Sequence, residues 1–104
     1  MTAVHNALRT RFEIDTEAGL AQAQYTRSGD VVTFTHTEVP DAVNGQGIGT
    51  ALVEAALAWA RAEGVSVVPS CPFVAAYMAG HPETHDLVPA AERRWLDPDY
   101  DERA

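Results

Sequence analysis

Hydrophobic and polar residues alternate along much of the first forty positions. Residues 11–15, 20–27 and 31–37 each have the two-residue period of a strand that buries one face. The tripeptide Ser28-Gly29-Asp30 between the second and third segments is a turn signal, so we expect an antiparallel hairpin there. Pro40 lacks an amide hydrogen, which ends the third strand.

From residue 48 the hydrophobic period becomes that of a helix, which we expect to run to about residue 63. Its apolar stripe consists of Ile48, Leu52, Ala55, Ala56 and Trp59. Gly64 occupies the position where glycine commonly ends a helix, and residues 65–69 then form a short buried strand. The order strand, loop, helix, strand predicts a right-handed crossover between parallel strands.

Cys71 and Pro72 have the positions of an N-cap and a first helical residue, so a second helix is expected from there to Gly80. Its apolar residues recur at helical spacing: Phe73, Val74, Tyr77 and Met78. Beyond it, residues 87 and 88 predict either an edge strand or local packing. Residues 92–104 predict an acidic, frayed C-terminal tail, unless Trp95 and Leu96 dock on the body of the protein.

The composition excludes several classes of partner. The chain has 104 residues and a formal net charge of −8, which argues against nucleic acid as a ligand. The acidity either serves solubility alone or favours a cationic acceptor such as an amine. No apolar run is long enough to cross a membrane, and the N-terminus lacks the pattern of a signal peptide. A single cysteine is typical of a reducing compartment, so we expect a cytoplasmic protein.

Glycines at positions 45, 47 and 49 immediately precede the first helix. They allow the backbone to turn tightly and to approach a ligand closely, while the helix start offers free N–H groups. Such a junction can bind phosphate or pyrophosphate. The alternative is that the glycines only allow the chain to turn into the helix. The segment is neither a P-loop nor a dinucleotide fingerprint, because the Lys-Ser/Thr pair and the required spacing are absent.

Histidines provide further candidates for chemistry. His36 and Glu38 have the same parity along their strand, so they should share a face, and His36 could accept the proton of an ammonium group. An ordinary surface or core histidine is the alternative. His81 and His85 have the spacing of a helical metal pair, but Pro82 interrupts the helix and no third ligand is suitably spaced, so we predict no metal site.

The segment from Asn44 to Gly49 resembles the acetyl-CoA pyrophosphate loop of GCN5-related N-acetyltransferases (GNATs), Gln/Arg-x-x-Gly-x-Gly/Ala. The similarity is greater to short single-domain members with a Thr-Glu-Val-Pro strand end, here residues 37–40, and a Cys-Pro-Phe/Tyr-Val helix start, here residues 71–74. It covers about residues 10–90. Two features depart from the family: Asn44 replaces arginine or glutamine, and the two N-terminal helices of larger members are missing.

The resemblance implies an α/β fold: a compact GNAT-like mixed sheet, with an antiparallel meander, a parallel βαβ crossover and two main helices. It implies a single minimal N-acetyltransferase-like domain over residues 1–91, followed by the tail at 92–104. Backbone groups of Glu38 and Val39 would contact the pantetheine arm of acetyl-CoA. The pyrophosphate would be held by the loop, which consists of Asn44, Gly45, Gln46, Gly47, Ile48, Gly49 and Thr50.

Two side chains are implied near the thioester. Tyr77 is the nearest counterpart of the tyrosine general acid in larger members. Cys71, as an N-cap residue, lies where the helix dipole favours a thiolate. It would carry the acetyl group covalently, exchange a proton near the thioester, or simply line the pocket as a small hydrophobic residue.

The predicted function is therefore transfer of an acetyl group from acetyl-CoA to an amine, either a small molecule or a protein, by direct attack or through Cys71. The alternative is a non-catalytic module that binds or senses acyl-CoA, or a subunit whose site a partner completes. Because the acceptor-binding helices are missing, a homodimer is one way of completing that site. All seven basic residues are arginine, so acetylation of a lysine side chain within the chain is excluded.

Overall fold

A computed structural model describes residues 2–96 of the chain. Five strands form one sheet in chain order: β1 (Val4–Asn6), β2 (Arg11–Thr16), β3 (Gly19–Ser28), β4 (Val31–Glu38) and β5 (Ser66–Pro69). The first four strands pair antiparallel, whereas β5 pairs parallel to β4 after the crossover helix α1 (Ile48–Glu63). This arrangement confirms the predicted α/β mixed sheet.

A second helix, α2 (Pro72–Ala79), follows β5 directly. Cys71 is its N-cap, Pro72 is its first residue and Gly80 ends it, as the sequence predicts. The remaining described elements are short 3₁₀ turns: Ala7–Arg9, Asp41–Val43, Pro82–Leu87 and Ala90–Trp95.

The edge strand β1 is absent from the sequence prediction. It has only three residues, too few to show a period, and it forms because His5 pairs with Phe12 of β2. The imidazole ring of His5 stacks on the Phe12 ring at a centroid distance of 4.3 Å. Long-range contact, rather than local pattern, therefore specifies this strand.

The core lies on one face of the sheet, beneath α1 and α2. Buried side chains of that face come from every strand between β2 and β5: Phe12, Ile14, Ala21, Ala23, Tyr25, Val32, Phe34, Val67 and Pro69. No residue on the other face, which includes Arg11, Gln22, Gln24, His36 and Glu38, is buried. Among residues 2–96 the protein thus has two layers, with one polar face of the sheet open to solvent.

Helix α1 buries a wider stripe than the sequence predicts. Ile48, Leu52 and Ala56 are buried as expected, and Ala55 and Trp59 are partly buried. Val53, Leu57 and Ala60 are also buried, because the helix packs against α2 and the 3₁₀ turns as well as against the sheet. Gly64 ends the helix with φ of 73°, as predicted.

The segment after α2 packs locally, so of the two alternatives for residues 87 and 88 local packing is confirmed and the edge strand is wrong. Leu87 and Val88 are buried in the core at the end of a 3₁₀ turn. Leu96 is also buried, in line with the docking alternative, whereas the Trp95 side chain and residues 97–104 lie outside the description. The domain boundary at residue 91 stays a prediction.

Among the described residues, no helix has the length and apolar character that crossing a membrane requires.

Candidate functional site

The edges of β4 and β5 separate halfway along β4. Parallel pairing ends where Phe34 faces Pro69, and the Cys71 N–H then donates to the Phe34 carbonyl at 2.8 Å. Beyond this point the chain enters α2, while β4 continues to Glu38 with β3 on one side only. Within residues 2–96, no strand pairs with the other edge of this part of β4. The separation leaves a gap whose wall is an unpaired strand edge.

A β-bulge at Thr35 decides which side chains face that gap. Tyr25 pairs with Phe34 and Gln24 pairs with His36, so no residue of β3 lies opposite Thr35 in the strand register. Downstream of the bulge the side chains change faces, because paired residues of antiparallel strands share a face. Thr37, which pairs with buried Ala23, therefore lies on the core face in place of His36.

The glycine loop follows β4 and leads into α1. Gly45 and Gly47 have φ of 85° and 79°, values that glycine adopts without strain. Gly47 is the N-cap of α1 and supplies no side-chain acceptor, so the first-turn N–H groups are not capped by a side chain. Uncapped N–H groups at the positive end of a helix dipole form a site for an anion.

A cavity of about 320 Å³ lies above these N–H groups. It contains seven of the nine residues predicted to hold the cofactor, together with Phe73; its lining is Val39, Asn44, Gly45, Gly47, Ile48, Gly49, Thr50 and Phe73. The two other predicted residues are elsewhere. Gln46 faces a separate cavity with Asp15 and Glu17, and the Glu38 side chain is exposed.

Phe73 is the residue of this cavity that sequence analysis missed. Its side chain is 43% exposed and its ring lies against Gly49, where a Cβ atom would come within 2.6 Å of Cζ. The spacing of apolar residues along α2 could have revealed it. Val74 and Met78 of α2 form one buried stripe, so Phe73 and Tyr77 must lie on a neighbouring, more exposed stripe.

Cys71 lies on the core side of the gap. Its side chain is only 4% exposed, makes no capping hydrogen bond and does not line the glycine-loop cavity. Its Sγ atom lies 3.5 Å from the Thr37 Oγ1 atom, a hydrogen bond that joins the two walls of the gap. The bulge makes this contact possible, since it brings Thr37 to the core face.

His36 and Glu38 form the pair that their parity predicts. Nε2 of His36 lies 3.5 Å from Oε2 of Glu38, and more than half of each side chain is exposed. Both lie on the open face of the sheet, opposite to Thr37. An imidazole beside a carboxylate can accept a proton from a group that approaches across this face.

The comparison with known families agrees with this geometry. The family model described as GCN5-related N-acetyl-transferase matches residues 11–87, which is more than half of the chain. The chain belongs to the GCN5-related N-acetyltransferase family. The match extends from the start of β2 to the end of the 3₁₀ turn after α2, and so includes the loop, the gap and α2. Membership supports an acetyltransferase-type function in general, and GNAT enzymes generally use acetyl-CoA.

The tyrosine that the GNAT resemblance suggested is separate from the glycine-loop cavity. Tyr77 lines a second cavity of about 220 Å³ with Glu54 and Glu83, and its ring stacks on His81 at 3.9 Å. Burial, followed by repulsion from these two carboxylates, raises the pKa of Tyr77. The phenol is therefore a hydrogen-bond donor at neutral pH, but it does not line the cavity at the loop.

The two histidines after α2 have a structural role at the end of that helix. His81 Nδ1 lies 2.6 Å from the Tyr77 carbonyl oxygen, and His85 Nε2 lies 2.6 Å from that of Met78. Carbonyl groups in the last turn of a helix lack internal partners, and side-chain donors commonly satisfy them. These two rings therefore stabilise the end of α2.

Proposed function

We propose that this protein binds acetyl-CoA and transfers its acetyl group to an amine. The proposal is supported by the relative position of the helix start and the unpaired strand edge. The uncapped N–H groups at the start of α1 and the unpaired edge of β4 lie at the same end of the gap, with Val39 and the glycine loop between them. A pyrophosphate requires the first feature, and the amides of a pantetheine arm can pair with the second.

The residues present fit such a donor. Gly45 and Gly47 leave the entrance without side chains, and the ring of Phe73 and the side chain of Val39 provide apolar walls. The loop would hold the pyrophosphate through backbone N–H groups, since Asn44 replaces the charged or longer side chain of the family pattern. The bound donor supplies an activated thioester.

The reaction requires little covalent chemistry from the protein. An amine nitrogen bonds to the acetyl carbon, the carbon–sulfur bond breaks, sulfur leaves as a thiolate and the nitrogen loses a proton. His36, oriented by Glu38, is the candidate acceptor of that proton. Most of the rate would come from positioning and from backbone donors that stabilise the oxyanion. The predicted general-acid role of Tyr77 stays a prediction.

Burial of Cys71 favours direct attack over a covalent route. A thiolate that attacks the donor must reach the acetyl carbon, whereas this thiol is 4% exposed and hydrogen-bonded to Thr37. In this proposal Cys71 and Thr37 close the core side of the gap. The covalent route through an acetylated Cys71 is the alternative mechanism, and mass spectrometry distinguishes the two.

A second candidate is a non-catalytic module that binds acyl-CoA. The observation in its favour is the open sheet face, because more than half of the His36 and Glu38 side chains is exposed there and neither residue lines a cavity described above. Such a module would bind the donor but would not release CoA faster when amines are added.

Intact-protein mass spectrometry after incubation with acetyl-CoA tests these alternatives. Direct transfer predicts an adduct under native conditions that is lost on denaturation. A covalent route predicts one acetyl group that survives denaturation and is absent from Cys71→Ser. The spectrum is simple because the chain contains no lysine, so only the N-terminal amine needs to be excluded by fragmentation.

An assay of free CoA released with a panel of amines then separates an enzyme from a binding module. Faster release with any amine supports the transferase. Absence of an adduct at millimolar acetyl-CoA would overturn both the transferase and the acyl-CoA-binding module.

A further inference from the structure

The gap between β4 and β5 is open at one end and closed at the other. It opens at Val39 and the glycine loop, and it closes where Phe34 faces Pro69. The chain enters α2 directly at the closed end, because the Cys71 N–H donates to the Phe34 carbonyl oxygen. A donor whose pyrophosphate lies at the loop and whose arm follows the edge of β4 therefore has its acyl group at the closed end.

Two side chains from opposite walls meet on the core side of that end. Sγ of Cys71, at the start of α2, lies 3.5 Å from Oγ1 of Thr37 on β4. Cys71 is buried, whereas Thr37 is only partly buried. Thr37 is thus the member of the pair with surface left for a ligand to contact.

The core behind the Thr37–Cys71 contact is filled. Val74 and Met78 of α2 are buried, as is Ala23, the partner of Thr37 on β3. Neither Thr37 nor Cys71 lines any of the three cavities described above for residues 2–96. Adding methylene groups to a closely packed interior is destabilising, so a longer acyl chain is disfavoured on the core side.

The other side of the gap is the open face of the sheet. His36 and Glu38 lie there, and His36 is the candidate acceptor of the amine's proton. An acyl chain that turned away from Thr37 would extend towards this face, across which the amine approaches the thioester carbon. A long chain therefore meets packed side chains in one direction and competes with the amine in the other.

We propose that Thr37, in contact with Cys71, is a specificity-determining residue that limits the length of the acyl group the donor can carry. The bulge at Thr35 makes this possible, because it places Thr37 on the core face in place of His36. The inference rests on the proposed function, and it assigns the choice among acyl-CoA thioesters to one contact between two side chains.

Calorimetric titration of the full chain with acetyl-CoA, propionyl-CoA and butyryl-CoA, in the absence of an amine, tests the proposal. One methylene group too many in a closed apolar pocket costs about tenfold or more. We therefore expect butyryl-CoA to bind at least about tenfold more weakly than acetyl-CoA, with propionyl-CoA between them. A smaller difference between acetyl-CoA and butyryl-CoA in the wild type would overturn the proposal.

Variants of Thr37 show whether this residue sets the limit. Thr37→Ala removes the hydroxyl group that contacts Sγ and the methyl group beside it. Burying one further methylene group is worth about fourfold in affinity, so the preference for acetyl-CoA over butyryl-CoA should fall by about fourfold or more. Thr37→Val keeps the branched shape and should preserve the preference.

Thr33→Ala is the matched control, because Thr33 lies on the open face of the same strand, between buried Val32 and Phe34. It should leave the preference for acetyl-CoA unchanged. The same fall in Thr33→Ala as in Thr37→Ala would mean that the strand as a whole, rather than the Thr37–Cys71 contact, sets the limit, and would overturn the proposal. An unchanged preference in Thr37→Ala would also overturn it.

Cys71→Ala opens the same wall from the other side and replaces Thr37→Ala if that variant does not fold. It should lower the preference for acetyl-CoA in the same direction, because it removes Sγ. An unchanged preference in Cys71→Ala would reject the role of the contact.

The outcome for the proposed function is read separately from these ratios. Binding of all three thioesters with equal affinity would reject the present inference and leave the proposed function standing. Absence of binding by any of them at millimolar concentration would reject both.

Discussion

The ring of Phe73 occupies the space that a side chain at Gly49 would need. A methyl group at position 49 would lie 2.6 Å from Cζ of Phe73, so the two residues can meet only because one is glycine. This contact joins the first turn of α1 to the first turn of α2 beside the glycine loop. The orientation of Phe73 in the cavity therefore depends on the absence of a side chain on the opposite helix.

Gly49→Ala should weaken ligand binding and reduce stability moderately. Alanine favours a helix by up to about 1 kcal/mol, which offsets only part of an overpacking cost of about 1–3 kcal/mol. The exposed Phe73 ring can move, and its displacement should weaken CoA binding by about two- to tenfold, the value of an aromatic contact. Titration calorimetry and urea denaturation measure the two effects.

A double-mutant cycle shows whether Phe73 mediates that effect. In the Phe73→Ala background, Gly49→Ala should no longer weaken binding, because the ring that it displaces is absent. An equal loss in both backgrounds would mean that Gly49 acts through the backbone loop instead.

Gly47→Ala should weaken both folding and binding. At φ of 79° an alanine costs about 1–2 kcal/mol, and relief of that strain would rotate the loop N–H groups away from the ligand. Gly64→Ala is the matched control, since Gly64 has φ of 73° at the other end of α1. It should reduce the free energy of unfolding by a similar amount and leave CoA binding unchanged. Loss of binding in both variants would indicate a general effect of destabilising α1.

Cys71 should react slowly with a thiol-specific reagent in the folded protein. Its side chain is 4% exposed, so reaction requires a local opening, and an opening free energy of about 1.4 kcal/mol already slows the reaction tenfold. Thr37→Ala should increase the rate, because it removes the side chain that contacts Sγ. Reaction of the native protein as fast as in urea would mean that the thiol is open to the cleft and would revive the covalent route.

Stability should fall as the pH falls below about 6.5, the usual pKa of histidine in an unfolded chain. His5 lies against Phe12 and Trp59, and its Nε2 atom is 2.6 Å from the Tyr25 hydroxyl. Burial lowers the pKa of His5, against a smaller opposing influence of the Glu63 carboxylate. The unfolded chain then binds the proton more readily, so the stabilising contribution is complete above pH 6.5 and is lost as the pH falls through the folded pKa.

Urea denaturation of the wild type and of His5→Gln at a series of pH values measures this dependence. The difference between the two proteins in the slope of unfolding free energy against pH isolates His5 from the other histidines. Glu63→Gln should lower the pKa of His5 further, because it removes the carboxylate that opposes the effect of burial. Identical pH profiles for wild type and His5→Gln would contradict the prediction.

Local patterns predicted most of the elements because their causes are local. Alternation located β2, β3 and β4, the helical period located α1, and Cys71-Pro72 marked the start of α2. The edge strand β1 escaped because pairing with β2 specifies its three residues. Val88 resembled a strand residue, but it packs beside a 3₁₀ turn whose register depends on contacts with α1 and α2.

The candidate site was also only partly predictable from the sequence. Neighbouring residues alone were enough to predict the glycine loop, the N-cap position of Cys71 and the shared face of His36 and Glu38, because backbone conformation and side-chain parity are local properties. Tertiary contacts were needed to show that a bulge at Thr35 directs Thr37 towards Cys71, that Phe73 enters the loop cavity and that Tyr77 does not. Those facts depend on how distant strands and helices pair and pack, which no local pattern contains.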